Sequence, residues 1–326
     1  MKVSCLLATQ PATAGHIELA ERLGYARAYC FDTPALCADP WMTLARAADR
    51  TERIGLATGV IVPRLRHLMT TASAVATLAA LAPGRVVLGV GSGFTGAMLL
   101  GRRAMGWGEV ERYLVALGAL LRGEEVDWEG ALLRMCHPEG FAPGRPIQVP
   151  MLLAADGPYG QGVARRLGAG IWTHAAPEGF AWVACTIHGT VLEPGESPTS
   201  ERAFAATGPA AAVRYHRAYE AGGDRLDQLP GGPQFRALVD GVAEERRHLA
   251  LHEGHLVHMN ELDRQVLSPQ FAAEATATGP PELIRERLDR LAAEGFTEVM
   301  YQPKGDVPRE LEAFAAVAIP HEAARP

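Results

Sequence analysis

Short runs of buried-type residues alternate with longer stretches of helical spacing through about the first 120 residues. Residues 2–8 read as a buried strand. Residues 14–23 follow with Ile17, Ala20 and Leu23 on one helical face, and Gly24 stands where a C-cap is expected. Residues 26–31 are the next strand. Asp39-Pro40 then opens a helix, with Asp as N-cap and Pro at the first helical position. The alternation continues with a strand over 54–62, a helix over 70–81, a strand over 85–90 and a helix over 109–121. Four strand–helix units in succession predict a parallel sheet covered by helices.

The alternation breaks at 124–147, where Val126-Asp127-Trp128-Glu129-Gly130 turns back into residues 132–135 as a short hairpin excursion. It resumes with strands at 151–155 and 170–173 and a helix over 160–167 between them. Residues 182–191 are a further strand candidate. Residues 193–270 are rich in helix formers and broken by Gly-Gly and Pro, and read as helical insertions. A helix over 281–294, introduced by Thr278-Gly279-Pro280, a last strand over 298–302 and a closing helix over 308–317 complete the chain. About eight strand–helix units predict an α/β fold of the (β/α)8 barrel type, one domain over 1–326 with an insertion at about 193–270. A doubly wound sheet is the runner-up.

Charge and composition narrow the function. Lys+Arg number 31 against Asp+Glu 37, for a net charge of −6, so the basic excess of a nucleic-acid binder is missing. No apolar run reaches the length of a membrane span. The five cysteines are odd in number and without CxxC, which argues against a disulfide framework and for a cytoplasmic setting. Lys2 and Lys304 are the only lysines, which reads as codon bias.

Four strings carry candidate chemistry. Gly89-Val90-Gly91-Ser92-Gly93-Phe94-Thr95-Gly96 follows the fourth strand directly, and its glycines let backbone amides approach a phosphate or a flat ring. A dinucleotide site would need an acidic residue about 20 residues on, after the next strand, and the next acidic cluster lies in the excursion instead. A purely structural turn is the competing reading. Asp32, in Phe31-Asp32-Thr33-Pro34, ends strand two, where a barrel places ligand-orienting groups. Gly59 and Val60 end strand three, followed by Arg64, Arg66 and His67, which can meet an anionic tail or form a solvated face. Ala155-Asp156-Gly157-Pro158-Tyr159-Gly160 joins a strand to a helix N-terminus, a ready phosphate site. The histidines at 248, 252, 255 and 258 do not make HExxH, because His255 comes one position too early. They read as a mixed core and pocket edge, and no metal site is expected.

These strings fall in an order that resembles the bacterial-luciferase-like superfamily. Phe31-Asp32-Thr33-Pro34 with Asp39-Pro40 is similar to its "DSP…DP" segment. The stretch Ala82-Pro83-Gly84-Arg85-Val86-Val87-Leu88-Gly89-Val90-Gly91-Ser92-Gly93 resembles "SPGRxxLGxGxG", the most specific match. Leu121-Arg122-Gly123-Glu124-Glu125-Val126 and Thr278-Gly279-Pro280-Pro281-Glu282-Leu283 resemble later signatures, so the likeness covers nearly the whole chain and is weakest over 193–251. Within the superfamily it looks closest to the methylene-tetrahydromethanopterin reductase branch.

The resemblance implies a barrel with a cofactor at its C-terminal mouth and a non-prolyl cis peptide at Gly59–Val60. It implies that Asp32 is a pocket carboxylate and the one catalytic candidate. Gly91, Ser92 and Gly93 match the loop along the cofactor and Gly157 to Gly160 its phosphate loop; Phe94, Ala155, Pro158, Tyr159 and Asp156 beside them, and Arg64 and Arg66 on a basic rim, are further cofactor-binding candidates. The cofactor implied is the deazaflavin coenzyme F420, with FMN as the alternative. The implied activity is hydride transfer to a C=C or C=N bond of a small organic or natural-product substrate, such as a dehydroamino acid or cyclic imine. An FMN-dependent monooxygenase and a cofactor-free binding barrel are the alternatives. Phe94 stands where relatives often carry an acidic residue, and Thr33 where some carry His, which sets aside sugar-phosphate dehydrogenation. The partners expected are a small-molecule or peptide-type substrate, without nucleic acid or membrane, and a second copy of the chain as a homodimer.

Overall fold

The computed structural model describes residues 1–320; residues 321–326, the end of the single-domain reading, lie outside the described residues. Eight parallel strands close into a barrel: β1 (Lys2–Leu7), β2 (Arg27–Cys30), β3 (Gly55–Thr58), β4 (Val86–Gly91), β5 (Met151–Ala154), β6 (Gly170–Trp172), β7 (Val183–Ile187) and β8 (Glu298–Tyr301), each paired with its sequence neighbour and β8 with β1. The doubly wound alternative is thereby excluded, because that sheet has two free edges and this one has none.

Local signals act where expected. The Asp39 carboxylate accepts from the Trp41 and Met42 amides at 2.8 and 3.0 Å and starts helix Pro40–Ala48. Gly123, at φ 91°, ends helix Trp107–Arg122. The excursion forms the antiparallel hairpin Val126–Trp128 with Ala131–Leu133.

Three differences from the expected elements matter for the site. Strand three is shorter than 54–62: it ends at Thr58, the Gly59–Val60 peptide is cis, and only an isolated bridge from Ile61 to Val90 follows. The run 182–191 is two strands, because β7 stops at Ile187 and Gly189–Val191 leaves the barrel to pair with Ala277–Gly279 in an outer ladder. Both halves are buried, so the hydrophobic pattern does not show the break. The glycine loop runs into a short helix, Phe94–Met98.

The barrel interior is filled by Leu6, Tyr29, Ala57, Val87, Leu152 and Met300. Its N-terminal end is plugged by Glu298, fully buried, which accepts from Ser4 Oγ, Arg27 Nη1, Tyr29 Oη and Trp182 Nε1. Four donors on one carboxylate make this end a stability feature, with the opposite end free for ligand. The insertion is helical, from Glu201–Ala221 to Pro269–Glu274, and packs its own apolar cluster around Tyr215, Phe235 and Leu251.

Candidate active site at the barrel mouth

A cavity of about 750 Å³ opens at the C-terminal ends of the strands. All eight strands or the loops after them contribute to it: Leu6, Asp32, Gly59 and Val60, Gly91 to Gly96, Ala154 to Asp156, Trp172 to His174, Thr186 and His188, and Gln302. Asp32, Gly59, Val60, Gly91, Ser92, Gly93, Phe94, Ala155 and Asp156, singled out in the sequence, therefore meet on one wall system. Gly157, Pro158, Tyr159, Gly160, Arg64 and Arg66 do not line it.

The glycine loop is built by close packing as well as by exposure to the cavity. A Cβ on Gly91 would sit 2.7 Å from Val60 Cγ2. Gly93 has φ +89°, and a Cβ there would sit 2.4 Å from Val62 Cγ1. The end of strand three and the loop after strand four thus press together only because these positions lack side chains. Gly91 therefore has a packing role against Val60 and also lines the cavity.

Asp32 is 2% exposed and receives Arg66 in a two-point contact, Nε to Oδ2 at 2.9 Å and Nη2 to Oδ1 at 2.8 Å. The same Nη2 reaches Asp39 Oδ2 at 2.8 Å. Burial pushes the Asp39 carboxyl up, but hydrogen bonds from Arg66 and the Met42 and Trp41 amides outweigh it and hold Asp39 below its usual range. The rim role expected of Arg66 is therefore corrected: two carboxylates draw its guanidinium inward. Arg64 donates to the Arg103 carbonyl at 3.4 Å and lies 3.6 Å from Glu109. His67 accepts from the Met69 amide and caps helix Leu68–Leu81.

On the opposite wall Asp156 accepts from Thr173 Oγ1 at 3.0 Å and from the His174 amide and Nδ1, both at 2.9 Å. The His174 contact, first among these, holds the Asp156 carboxyl well below its ordinary value. Gly157 is the N-cap of helix Pro158–Arg166, and Gly160 lets Trp107 pack against that helix, a Cβ there falling 2.6 Å from Trp107 Cε2.

Several wall residues carry no signal in the sequence. His174 and His188 stand after β6 and β7. His188 Nδ1 lies 3.1 Å from Lys304 Nζ, and the lysine is 3% exposed. Burial lowers Lys304 to about 7 and holds His188 well below its ordinary value, the charge of Lys304 adding to the second effect. Arg217, Glu220 and Arg225 reach the mouth from the insertion, and the Arg217 guanidinium lies 5.6 Å from the Phe94 ring centroid. The insertion supplies exposed cations that line the cavity, whereas Arg64 and Arg66 do not line it.

The features fit a large, flat, anionic cofactor. The glycines bare the backbone along one wall, and Leu6, Val60 and Trp172 give apolar contact. Glu220 and Gln302 each keep a buried side-chain oxygen with no protein partner. Exposed arginines stand at the mouth. No helix among the described residues is long and apolar enough to cross a membrane.

Residues 8–298 match the family model described as luciferase-like monooxygenase. An F420-dependent glucose-6-phosphate dehydrogenase of Beutenbergia cavernae is 39% identical over 140 residues, 40% of each chain. Its counterpart in Microbacterium testaceum is 27% identical over 82% of this chain and 76% of that one. The matched stretch is thus less than half of the first relative's length. Among solved structures, the coenzyme F420-dependent tetrahydromethanopterin reductase of Methanopyrus kandleri superposes with a TM-score of 0.67 at 18% identity, covering 98% of both chains. The oxygenating constituent of 3,6-diketocamphane monooxygenase of Pseudomonas putida, in complex with FMN, superposes at 0.61 with 14% identity, covering 98% of both chains. The closed eight-strand barrel and a family match running from just after β1 to the first residue of β8 make this chain a member of the luciferase-like monooxygenase family.

Proposed function

We propose that the chain is a coenzyme F420-dependent oxidoreductase that reduces a C=C or C=N bond of a neutral organic or peptide-type substrate. The observation that carries the proposal is the convergence of Gly59, Val60, Gly91 to Phe94, Ala155 and Asp156 on a single cavity at the barrel mouth. The F420-dependent relatives support the cofactor. Phe94, on the wall beside the glycine loop, supports an apolar substrate over a sugar phosphate.

Bound there, a reduced deazaflavin supplies a hydride from ring carbon C5. The protein's part is to position, to exclude water and to manage one proton. Val60, Leu6 and Trp172 provide apolar surface. The amides opening helix Pro158–Arg166 stand just outside the cavity, next to Asp156, where an anionic group can be met. The proton has a route that needs no carboxylic acid. When Lys304 is charged it donates to His188 Nδ1, which keeps the ring hydrogen on Nε2. A proton leaving His188 for the substrate is then replaced from Lys304, whose lowered value near 7 suits that exchange. Asp32, paired with Arg66, shapes the wall and does not serve as the acid.

The test is absorbance titration of the purified chain with the deazaflavin and with FMN. Turnover with dehydroamino-acid peptides and cyclic imines is then followed by the return of oxidised deazaflavin. Binding of the deazaflavin and reduction of either class supports the proposal. Tight FMN binding with none for the deazaflavin replaces it with the monooxygenase reading.

A further inference from the structure

The insertion holds a second constellation, a cluster of three histidines beside the barrel mouth. Helix Glu201–Ala221 places His216 and Glu220 one turn apart on one side. Helix Arg247–His252 ends on His252, and the chain turns back so that the His255 amide donates to the His252 carbonyl at 3.1 Å. His216, His252 and His255 are all buried. His216 Nδ1 and His252 Nδ1 each face His255 Nδ1, at 3.1 and 3.2 Å. One ligand nitrogen from each ring lies within 4.8 Å of the other two.

The outer nitrogens set the tautomers. His216 Nε2 meets Asp263 Oδ1 at 2.8 Å, and His252 Nε2 meets Glu220 Oε1 at 2.5 Å. An ionised carboxylate only accepts, so both Nε2 atoms carry hydrogen, and in the neutral rings both Nδ1 atoms present bare lone pairs. His255 Nδ1 can offer one hydrogen, to one of them. Three buried nitrogens therefore converge with too few hydrogens to satisfy them, an arrangement that costs stability in a dry site. A cation at their centre satisfies all three. Zinc binds imidazole nitrogen at about 2.0–2.1 Å, which puts neighbouring ligands of a tetrahedron roughly 3.3 Å apart. The two close pairs here fall near that spacing. Carboxylates behind ligating imidazoles are also the usual way such rings are oriented.

We propose that His216, His252 and His255 bind one divalent transition-metal ion through Nδ1, zinc being the ion the ligand set suits. Asp263 and Glu220 fix two of the rings, and a water takes the fourth position. The ion ties helix Glu201–Ala221 to the segment 247–263. Those two parts also supply Arg217, Glu220 and His255 to the cavity wall, so the ion holds that wall in place. The three-histidine cluster is the same whichever cofactor the barrel takes.

The test uses the untagged full-length chain. After chelator treatment and dialysis, the wild type is titrated with Co²⁺ and then Zn²⁺. The expected result is one equivalent of Co²⁺ with the visible spectrum of a four-coordinate ion, displaced by Zn²⁺, and a rise in Tm on binding. His216→Ala and His252→Ala should lose the equivalent, and Asp263→Asn, which keeps its shape, should weaken binding by about 10–100-fold. His248→Ala, outside the cluster, should retain it. A wild-type chain that binds no stoichiometric Co²⁺ or Zn²⁺ overturns the proposal without recourse to any variant. So does a folded His216→Ala chain with undiminished metal binding.

Discussion

Arg66 grips Asp32 through two hydrogen bonds of 2.9 and 2.8 Å, so the carboxylate at the end of strand two meets the cavity already paired. The guanidinium is shared with Asp39, the cap of the next helix, and the Asp32 side chain is nearly inaccessible. One arginine therefore couples the cavity wall to the start of helix Pro40–Ala48. Removing one partner of such a buried pair leaves a charge that water does not reach.

The first prediction follows from that sharing. Arg66→Ala orphans two carboxylates and should cost about 3–5 kcal/mol, whereas Asp32→Asn leaves Arg66 its bond to Asp39 and should cost less. Urea unfolding of both variants measures this. Equal stability of Arg66→Ala and the wild type would show that the network carries no weight. The buried pairing with Arg66 thus gives Asp32, the one catalytic candidate of the sequence, a stability role as well.

The two loop glycines should fail for different reasons. Gly91→Ala puts a methyl against Val60 Cγ2, an overpacking cost of about 1–3 kcal/mol that Val60→Ala should relieve. Gly93→Ala also forces a side chain into the left-handed region, worth roughly 1–2 kcal/mol more, and Val62→Ala cannot remove that part. Double-mutant cycles on the two pairs separate the outcomes. Full rescue at both sites would mean the Gly93 backbone is not the constraint.

Lys304 gives a pH signature. Its folded value is lowered by burial to about 7 from the ordinary 10.5, so between these values the unfolded chain binds the extra proton. Stability must then rise with pH across that window, and below it the full cost of the buried charge is present. From pH 7 to about pH 8.5 the gain from this group should be about 1.5 kcal/mol. Above 9.0, the ordinary cysteine value, the buried thiols of Cys5 and Cys30, both pushed up by burial, act in the opposite direction. Lys304→Met should flatten the rise. Unfolding free energies of both chains at the two pH values test this, and parallel curves would refute the buried-amine account.

The barrel and half the site were legible because they depend on local chemistry. The strand–helix alternation, Asp39-Pro40 and the glycine loop each act within a few residues, and Gly59 through Asp156 fall at strand ends that the alternation locates. What was hidden depends on distance along the chain. His216 meets His252 and His255 across 36 residues or more, with no periodicity to announce it. Arg217 and Arg225 reach the mouth only because the insertion folds back over it. The split at Ile187 is silent because Gly189–Val191 is as buried as the barrel strand before it. Arg66 was misplaced because its sequence neighbours suggest a rim, while two carboxylates, one on each side of Pro34, claim it.

That placement changes which arginines should hold an anionic cofactor tail. Arg64 is occupied by the Arg103 carbonyl and by Glu109, and Arg66 by two aspartates. Arg217 and Arg225 are exposed on the cavity wall, Arg217 beside Phe94. The deazaflavin coenzyme carries a lactate and glutamate tail that FMN lacks. At exposed sites each arginine should contribute about 0.5–1 kcal/mol, and the contribution should shrink as salt rises. Arg217→Ala with Arg225→Ala should therefore weaken deazaflavin binding by roughly 5–30-fold at low salt and much less at high salt. FMN affinity, where measurable, should change little, and Arg64→Ala should leave both nearly unaltered. Titration of the wild type, the double variant and Arg64→Ala with both cofactors at two ionic strengths reads all of this. A salt-independent loss in the double variant would point to a collapsed wall instead of a lost charge contact. A loss confined to Arg64→Ala would return the tail to the segment after strand three.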